Sequence, residues 1–396
     1  MNFKAQPIVH VYFKGKSEKI LVGRLALKNH KIFFEYSPEF IKTGFELSPF
    51  KLPLKPGLQT NSDLVFDGLF GLFNDSLPDG WGRLLLDRKL RGLEINPNSL
   101  SPLDRLCYVG KNGMGALSYI PEIKGVSPLE RENLDDIAEE VYAFQEHDDD
   151  QFIDELLAMN NSSAGARPKI LIRKNKENWI IKFWSSTDPK DIGPIEYAYH
   201  LMAKHAGLHV PKAKLFASKK RPGYFGVTRF DRTSDHPIHM HTLSGLIHAD
   251  HRLPSLDYAT IIKATALLTK SQEQLESQFR AAVFNVFAHN RDDHAKNFSF
   301  LMNEYGTWSI SPAYDLTFSS GPSGEHCTTI MGEGKNPKRP HLIKLAAIAS
   351  INEKKASAII EEVISSVSLW KHFAKEAHVS TSSTKMIQAA LQSVAI

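Results

Sequence analysis

The sequence predicts an α+β protein of two lobes, a small β-rich one followed by a mostly helical C-terminal one, with an additional β-rich subdomain at the N-terminus. Three observations carry that expectation. Runs of branched and aromatic residues suited to strands crowd the first 37 positions and recur between 169 and 230. Beyond 250 the apolar positions fall mostly at helical spacing. A chain of 396 residues, 42% hydrophobic and 23% charged, has a globular composition and exceeds what one compact core usually holds. We therefore expect parts at 1–150, 151–250 and 251–396.

Composition also narrows the function. The net charge of +4 comes from lysines and arginines scattered along the chain, whereas a nucleic-acid binder usually concentrates them on one face. Two cysteines, Cys107 and Cys327, cannot build a disulfide framework and fit a reducing compartment. No N-terminal apolar stretch resembles a leader and no run reaches the length of a membrane span, so the expected location is the cytoplasm, with no membrane partner.

In chain order, residues 8–13, 20–27 and 31–36 read as strands separated by polar turns, a small antiparallel sheet. Leu77-Pro78-Asp79-Gly80 is turn chemistry ahead of a helical pattern at 84–90, and we read it as a structural turn and helix start. Gly110, Gly113 and Gly115 precede a short strand at 116–120 but lack the strand-loop-helix frame of a phosphate fingerprint. From 133 to 159 the pattern is helical and acidic, and Asp148-Asp149-Asp150 reads as a solvated boundary.

The small-residue loop 160–168 leads into a hairpin, with strands at 169–174 and 179–184 around a polar turn. Period-two alternation puts Ile180, Lys182 and Trp184 on one face and Trp179, Ile181 and Phe183 on the other. An ammonium among apolar neighbours is costly unless it meets an anion, so Lys182 either faces one or snorkels from an edge strand. The helix at 195–207 closes on Gly207, and Glu196 near its start either pairs with Lys182 or favours the helix dipole as a cap. Strands at 213–217 and 224–230 follow, and Thr228 to Arg232 then leave the sheet as a hinge whose backbone could read an adenine edge. Ser271 and Gln274 match a capping box, and Leu275, Phe279, Ala282, Val283 and Val286 share one face of the helix they start. Amphipathic helices, including 356–374 and 383–394, complete the chain.

Chemistry concentrates in Ala288-His289-Asn290-Arg291-Asp292-Asp293-His294-Ala295-Lys296-Asn297, followed by Ser311-Pro312-Ala313-Tyr314-Asp315. An Asp, an Asn five residues later and a further Asp beyond a hydrophobic run match a phosphoryl-transfer centre, and the fold that carries this order is protein-kinase-like. In that reading Asp292 orients or deprotonates the acceptor hydroxyl, Asn297 and Asp315 hold Mg2+, Lys182 holds ATP phosphate oxygens, and amides around Gly165 cover them. His289, Asp292, Asp293 and His294 also include metal-ligand types, but their order and the lack of a second histidine cluster of matching spacing argue against a metal-dependent phosphohydrolase.

These residues carry a family resemblance. Asp292-Asp293-His294-Ala295-Lys296-Asn297-Phe298-Ser299 resembles the Asp-x-His-Ala-Lys-Asn-Phe-Ser signature of the HipA family of bacterial serine/threonine kinases, toxins of toxin-antitoxin systems. Pro312-Ala313-Tyr314-Asp315 is similar to its metal segment, Phe230-Asp231-Arg232 to its hinge, Ser162-Ser163-Ala164-Gly165-Ala166 to its loop, and Leu77-Pro78-Asp79-Gly80 to its N-terminal subdomain. The resemblance implies an ATP site drawn from Ser163, Ala164, Gly165, Ala166, Lys169, Lys182, Thr228, Phe230, Asp231, His294 and Lys296, with autophosphorylation at Ser162 or alternatively Ser163. It implies a protein substrate, such as a translation factor of the aminoacyl-tRNA synthetase kind, and a small helix-turn-helix antitoxin through which DNA is reached only indirectly. A kinase of a small molecule or lipid, and a catalytically weak co-repressor, are the alternatives. Thr228 stands where the family's hinge would carry Glu, and Arg167-Pro168 stiffens the end of the loop.

Overall fold

Alternating burial builds the first sheet in the computed structural model, which describes residues 5–15, 18–123, 133–146, 150–160 and 165–394. Strands β1 (Ile8–Phe13), β2 (Ile20–Lys28), β3 (Lys31–Tyr36), β4 (Leu58–Thr60) and β5 (Leu117–Ile120) pair antiparallel in the order β4-β3-β2-β1-β5. Val9, Val11 and Phe13 point inward from β1 while Ile8 and His10 stay exposed, as a pleat covered on one face requires.

The second sheet orders β6 (Lys169–Lys174), β7 (Glu177–Lys182), β8 (Ala213–Phe216) and β9 (Tyr224–Thr228) as β6-β7-β9-β8. The helix Ile192–His205 connects β7 to β8 and ends at Gly207, whose φ of 80° is the left-handed turn that glycine adopts cheaply. One face of the sheet buries Ile170, Trp179, Ile181 and Phe216 against Trp81 and Leu85 of the helix Gly80–Gly92 and against the helices Leu134–Glu146 and Ile153–Asn160. The alternation expected for residues 179–184 is therefore present, and it leaves Ile180 and Lys182 on the opposite face.

The C-terminal lobe contains β10 (His239–Thr242), β11 (Leu256–Asp257), β12 (Ser299–Met302), β13 (Trp308–Ile310) and β14 (Thr328–Thr329), with a sheet β10-β12-β13 and a short parallel pair β11-β14. Around it lie the helices Tyr258–Thr269, Gln272–Phe287, Arg339–Ile348, Glu353–Ser368, Trp370–Glu376 and Thr381–Ser393. Leu275, Phe279, Ala282, Val283 and Val286 are all buried along Gln272–Phe287. Ser271 caps that helix, accepting from the Gln274 N–H at 3.4 Å, but the Gln274 side chain does not return the bond. Its Oε1 accepts from the Ile310 N–H at 2.8 Å, so the second half of the expected capping box is replaced by a tie to β13.

The divisions expected at 150 and 250 do not coincide with the apolar cores. The helices at 134–160 pack on the β6-β9 sheet, on both sides of position 150. The N-terminal sheet shares one continuous core with the helical lobe, and β10 belongs to that lobe through its pairing with β12. The physical reason is that an acidic run marks a solvated face, while the opposite face of the same helices is apolar.

Candidate active site

The end of β7 meets the segment at 314–315, with Asp292 close enough to feel the Asp315 charge. Lys182 closes β7 with its Nζ 2.8 Å from Glu196 Oε2 and 2.5 Å from Asp315 Oδ1. Of the two readings of Glu196, the pair is the one present: Asp191 occupies the N-cap position of that helix, and Glu196 is buried one turn further on. Burial alone would lower the Lys182 pKa, but Asp315 and Glu196 outweigh it and hold the ammonium above its ordinary range. Lys182 in turn keeps the Asp315 carboxyl well below the usual carboxylate range, against the opposing effect of burial. Arg167, read from sequence only as a stiffener, also reaches this cluster, 3.3 Å from Glu196 Oε1 and 3.0 Å from Asp188 Oδ1.

Lys169 sits directly across from Lys182 in the β6-β7 register. Burial pushes its ammonium down to about 8, with the neighbouring Lys182 adding to the effect and Asp315 and Asp79 opposing it. The backbone of Gly165 lies against Lys169: a Cβ at that position would collide with Nζ. Ala166 is exposed beside it. Ser162, Ser163 and Ala164 lie outside the described residues.

Asp292 presents a side chain 54% exposed, with His294 Nε2 at 4.0 Å and the Cys327 thiol donating at 3.9 Å. Its pKa is raised by partial desolvation, with His294 pulling it down and the charge of Asp315 pushing it up. The Asn297 Nδ2 donates to the Asp292 carbonyl at 2.6 Å, which fixes the amide and leaves its Oδ1 as an acceptor. Asp315 follows with φ at 57°, an αL conformation that aims its carboxylate at Lys182, and Tyr314 packs at a tilt of 42° against the hinge Phe230, with 5.2 Å between ring centres. Asn297 Oδ1 and the Asp315 carboxylate are hard oxygen donors of the kind Mg2+ takes alongside phosphate oxygens and water.

Asp293 is removed from this chemistry. It is buried, accepts from the Tyr258 hydroxyl at 2.9 Å and the Thr328 N–H at 3.2 Å, and faces His326 Nδ1 at 2.8 Å. His289 turns instead to the Ser319 carbonyl and stacks on Phe318. Among the described residues no group of three or more His, Cys, Asp or Glu could hold a metal ion.

Two residues expected at the nucleotide are engaged elsewhere. The N–H and hydroxyl of Thr228 both donate to the Lys212 carbonyl, at 2.8 and 3.2 Å, because β9 carries its sheet pairing to that point, and the next N–H, of Arg229, donates to the Asn178 carbonyl at 2.8 Å. The buried Asp231 carboxylate is held by Arg229 and Arg232, each at 2.7 Å, and by the Gly115 N–H at 2.9 Å. Gly113 and Gly115 thus serve as backbone partners of the hinge, Gly113 through its carbonyl, which accepts from Arg232 at 2.6 Å.

Lys296 and Asp79 are the pairing that sequence reasoning missed. The Lys296 Nζ lies 2.5 Å from Asp79 Oδ2, in the turn read as purely structural. Asp79 occupies the N-cap position of the helix Gly80–Gly92 yet makes no cap hydrogen bond, and no local signal in the sequence distinguishes it from an ordinary cap.

Comparisons with known proteins span the same regions. A HipA-like C-terminal domain model matches residues 161–370 and a HipA N-terminal domain model matches 11–120. A putative kinase, Y4dM of Sinorhizobium fredii, is 26% identical over 215 residues, 50% of this chain and 52% of that protein, so this chain spans about half the length of that relative. The structure of the Shewanella oneidensis MR-1 complex of HipA, HipB and operator DNA covers 97% of this chain and 95% of its own matched chain, at a TM-score of 0.70 and 16% identity. The Helicobacter pylori proinflammatory kinase CtkA covers 53% of this chain at a TM-score of 0.35 and 14% identity. The α+β fold expected from the sequence is present, and it is shared with the Shewanella HipA chain.

Proposed function

The chain belongs to the HipA family, and on that footing we propose that it is an ATP- and Mg2+-dependent serine/threonine protein kinase that acts as the toxin of a toxin-antitoxin pair. The observation that carries the reading is the convergence of Lys182, Glu196 and Asp315, with Asp292 near enough to feel the Asp315 charge and Asn297 bonded to the Asp292 carbonyl. Lys182, kept charged by two carboxylates, binds ATP phosphate oxygens, with Lys169 and the Gly165 backbone beside it. Asn297 and Asp315 would hold Mg2+, which when bound neutralises charge on the phosphates.

In the reaction a serine or threonine hydroxyl oxygen forms a bond to the γ-phosphorus as the bond to the bridging oxygen breaks and ADP leaves. Asp292 takes the hydroxyl proton or orients it, a role its exposed position and raised pKa suit. Phe230, packed against Tyr314, lines the adenine end in this reading. Ser162, or Ser163, is the autophosphorylation site, where added charge would repel ATP phosphates. The partner is a small helix-turn-helix antitoxin, a reading supported by the presence of HipB and operator DNA with the Shewanella HipA, and DNA is reached through it. No helix among the described residues is long and apolar enough to cross a membrane, and we place the kinase in the cytoplasm.

The test is incubation of the purified chain with labelled ATP and Mg2+ in the presence of candidate protein acceptors. Label should enter Ser162 or Ser163 and a protein acceptor, and Asp292→Ala should remove it. Label persisting in that variant would strip Asp292 of its role, and transfer confined to small molecules or lipids would overturn the protein-kinase reading.

A further inference from the structure

We propose that Asp79 is a positioning residue that holds the phosphate loop and the catalytic-loop lysine Lys296 in register with each other, so that the N-terminal subdomain shapes the nucleotide site. The inference rests on the kinase reading above.

Its basis is a convergence of three segments distant in sequence. One Asp79 oxygen meets Lys296 Nζ at 2.5 Å, and the other accepts from the Gly165 N–H. The Trp81 N–H donates in turn to the Gly165 carbonyl at 3.1 Å, so both backbone polar groups of Gly165 are held by the same turn. Between them Gly80 lies with its Cα against the loop: its φ is +40°, and a Cβ there would stand 2.5 Å from the Ala166 Cα. A glycine with this conformation and this contact is what permits the turn to touch the loop backbone to backbone.

A helix cap would direct the carboxylate at the first amides of Gly80–Gly92, and Asp79 makes no such bond. Instead its charge is directed away from its own helix. Burial would raise its pKa, but Lys296 and the Gly165 N–H outweigh that and keep the carboxyl below its usual range. His251 also lies near, 3.9 Å from Asp79, and burial and the Lys296 charge push its imidazole down to about 4, so at neutral pH it adds no cation. Lys296 itself is only 8% exposed. An ammonium so enclosed is oriented by its carboxylate partner, and the loop amide on the second oxygen is thereby set relative to the ammonium. One carboxylate thus fixes the Lys296 ammonium relative to the loop backbone at Gly165 before nucleotide arrives.

The experiment compares the full chain with Asp79→Asn, which keeps the shape and removes the charge, and Gly80→Ala, which pushes the loop away and leaves the charge. Binding of a fluorescent ATP analogue and the ATP dependence of phosphorylation are measured for each, with circular dichroism establishing that each is folded. Replacing a charge-assisted hydrogen bond predicts a rise in the Kd and KM for ATP of about tenfold in Asp79→Asn, with kcat falling by less than KM rises. Gly80→Ala should show the same split, and Asp79→Glu should restore part of the affinity. Folded variants that bind ATP as the wild type does would overturn the inference while leaving the kinase reading in place, and so would a loss of thermal stability with an unchanged KM. Absence of nucleotide binding by the wild type would overturn both.

Discussion

Asp292, Lys169 and Lys182 show how one site separates three titrations. Lys182 has two carboxylate neighbours and stays charged at any ordinary pH, whereas Lys169, buried beside another lysine, loses its proton near 8. Asp292 moves the other way, upward, since desolvation and the Asp315 charge both disfavour its ionised form. A base must be ionised to accept a proton, so kcat/KM for ATP should climb as pH rises through the Asp292 pKa and fall again above about 8, as Lys169 discharges. A Lys169→Arg variant should extend the alkaline limb upward in a pH-rate profile, and an unchanged limb would remove Lys169 from the assignment. On the role proposed for Asp292, Asp292→Asn should lower kcat by roughly 10²- to 10⁴-fold while the Kd for ATP changes by no more than a few-fold.

At the scale of elements, two connections carry more than their length suggests. The hinge leaving β9 is braced by Asp231, whose carboxyl is held well below the usual range by Arg229 and Arg232 against the cost of burial. A carboxylate depressed on folding contributes stability above its unfolded pKa, near 4, and that stability is lost as pH falls below it. Asp231→Ala should therefore cost about 3–5 kcal/mol at neutral pH by leaving two arginines without their shared partner, and chemical denaturation at pH 7 and pH 3 should show the difference shrinking in acid. Helix Gln272–Phe287 is the other connection, because it delivers the chain to Asn290 and Asp292 with Phe279 fully buried beneath it. Phe279→Ala should destabilise by roughly 3–5 kcal/mol, read as a drop in the denaturation midpoint.

The whole molecule is tied together through its N-terminal part. One apolar core runs from the first sheet into the helical lobe, and Asp75 stitches the two with bonds from the Thr242 N–H and hydroxyl, both at 2.7 Å, and a contact to His241 Nδ1 at 2.6 Å. Gly71 and Gly245 bring their backbones together at the same junction, where a Cβ on either would collide with the other chain segment. A chain lacking residues 1–120 should accordingly fail to give a soluble folded lobe, and the intact chain should lose the first sheet and the helical lobe in one calorimetric transition. Two well-separated transitions would show that the shared core does not couple them.

The order of the proposed site residues is legible in the sequence. Asp292, Asn297 and Asp315, the alternation that isolates Lys182, the strands of the first sheet and the buried stripe of Gln272–Phe287 all follow from local spacing, and local spacing is what a linear reading captures. Only the tertiary structure decided how the parts divide and what distant groups share. It gave Glu196 to Lys182 instead of a helix terminus, withdrew Asp231 and the Thr228 donors into the hinge and sheet, and removed Asp293 to a buried network. It also turned Asp79 from the cap position of its helix to a lysine 217 residues away. A carboxylate at the start of a helix has the same local context whether it caps that helix or reaches across the molecule, and the choice is made by which donor the fold brings within hydrogen-bond distance.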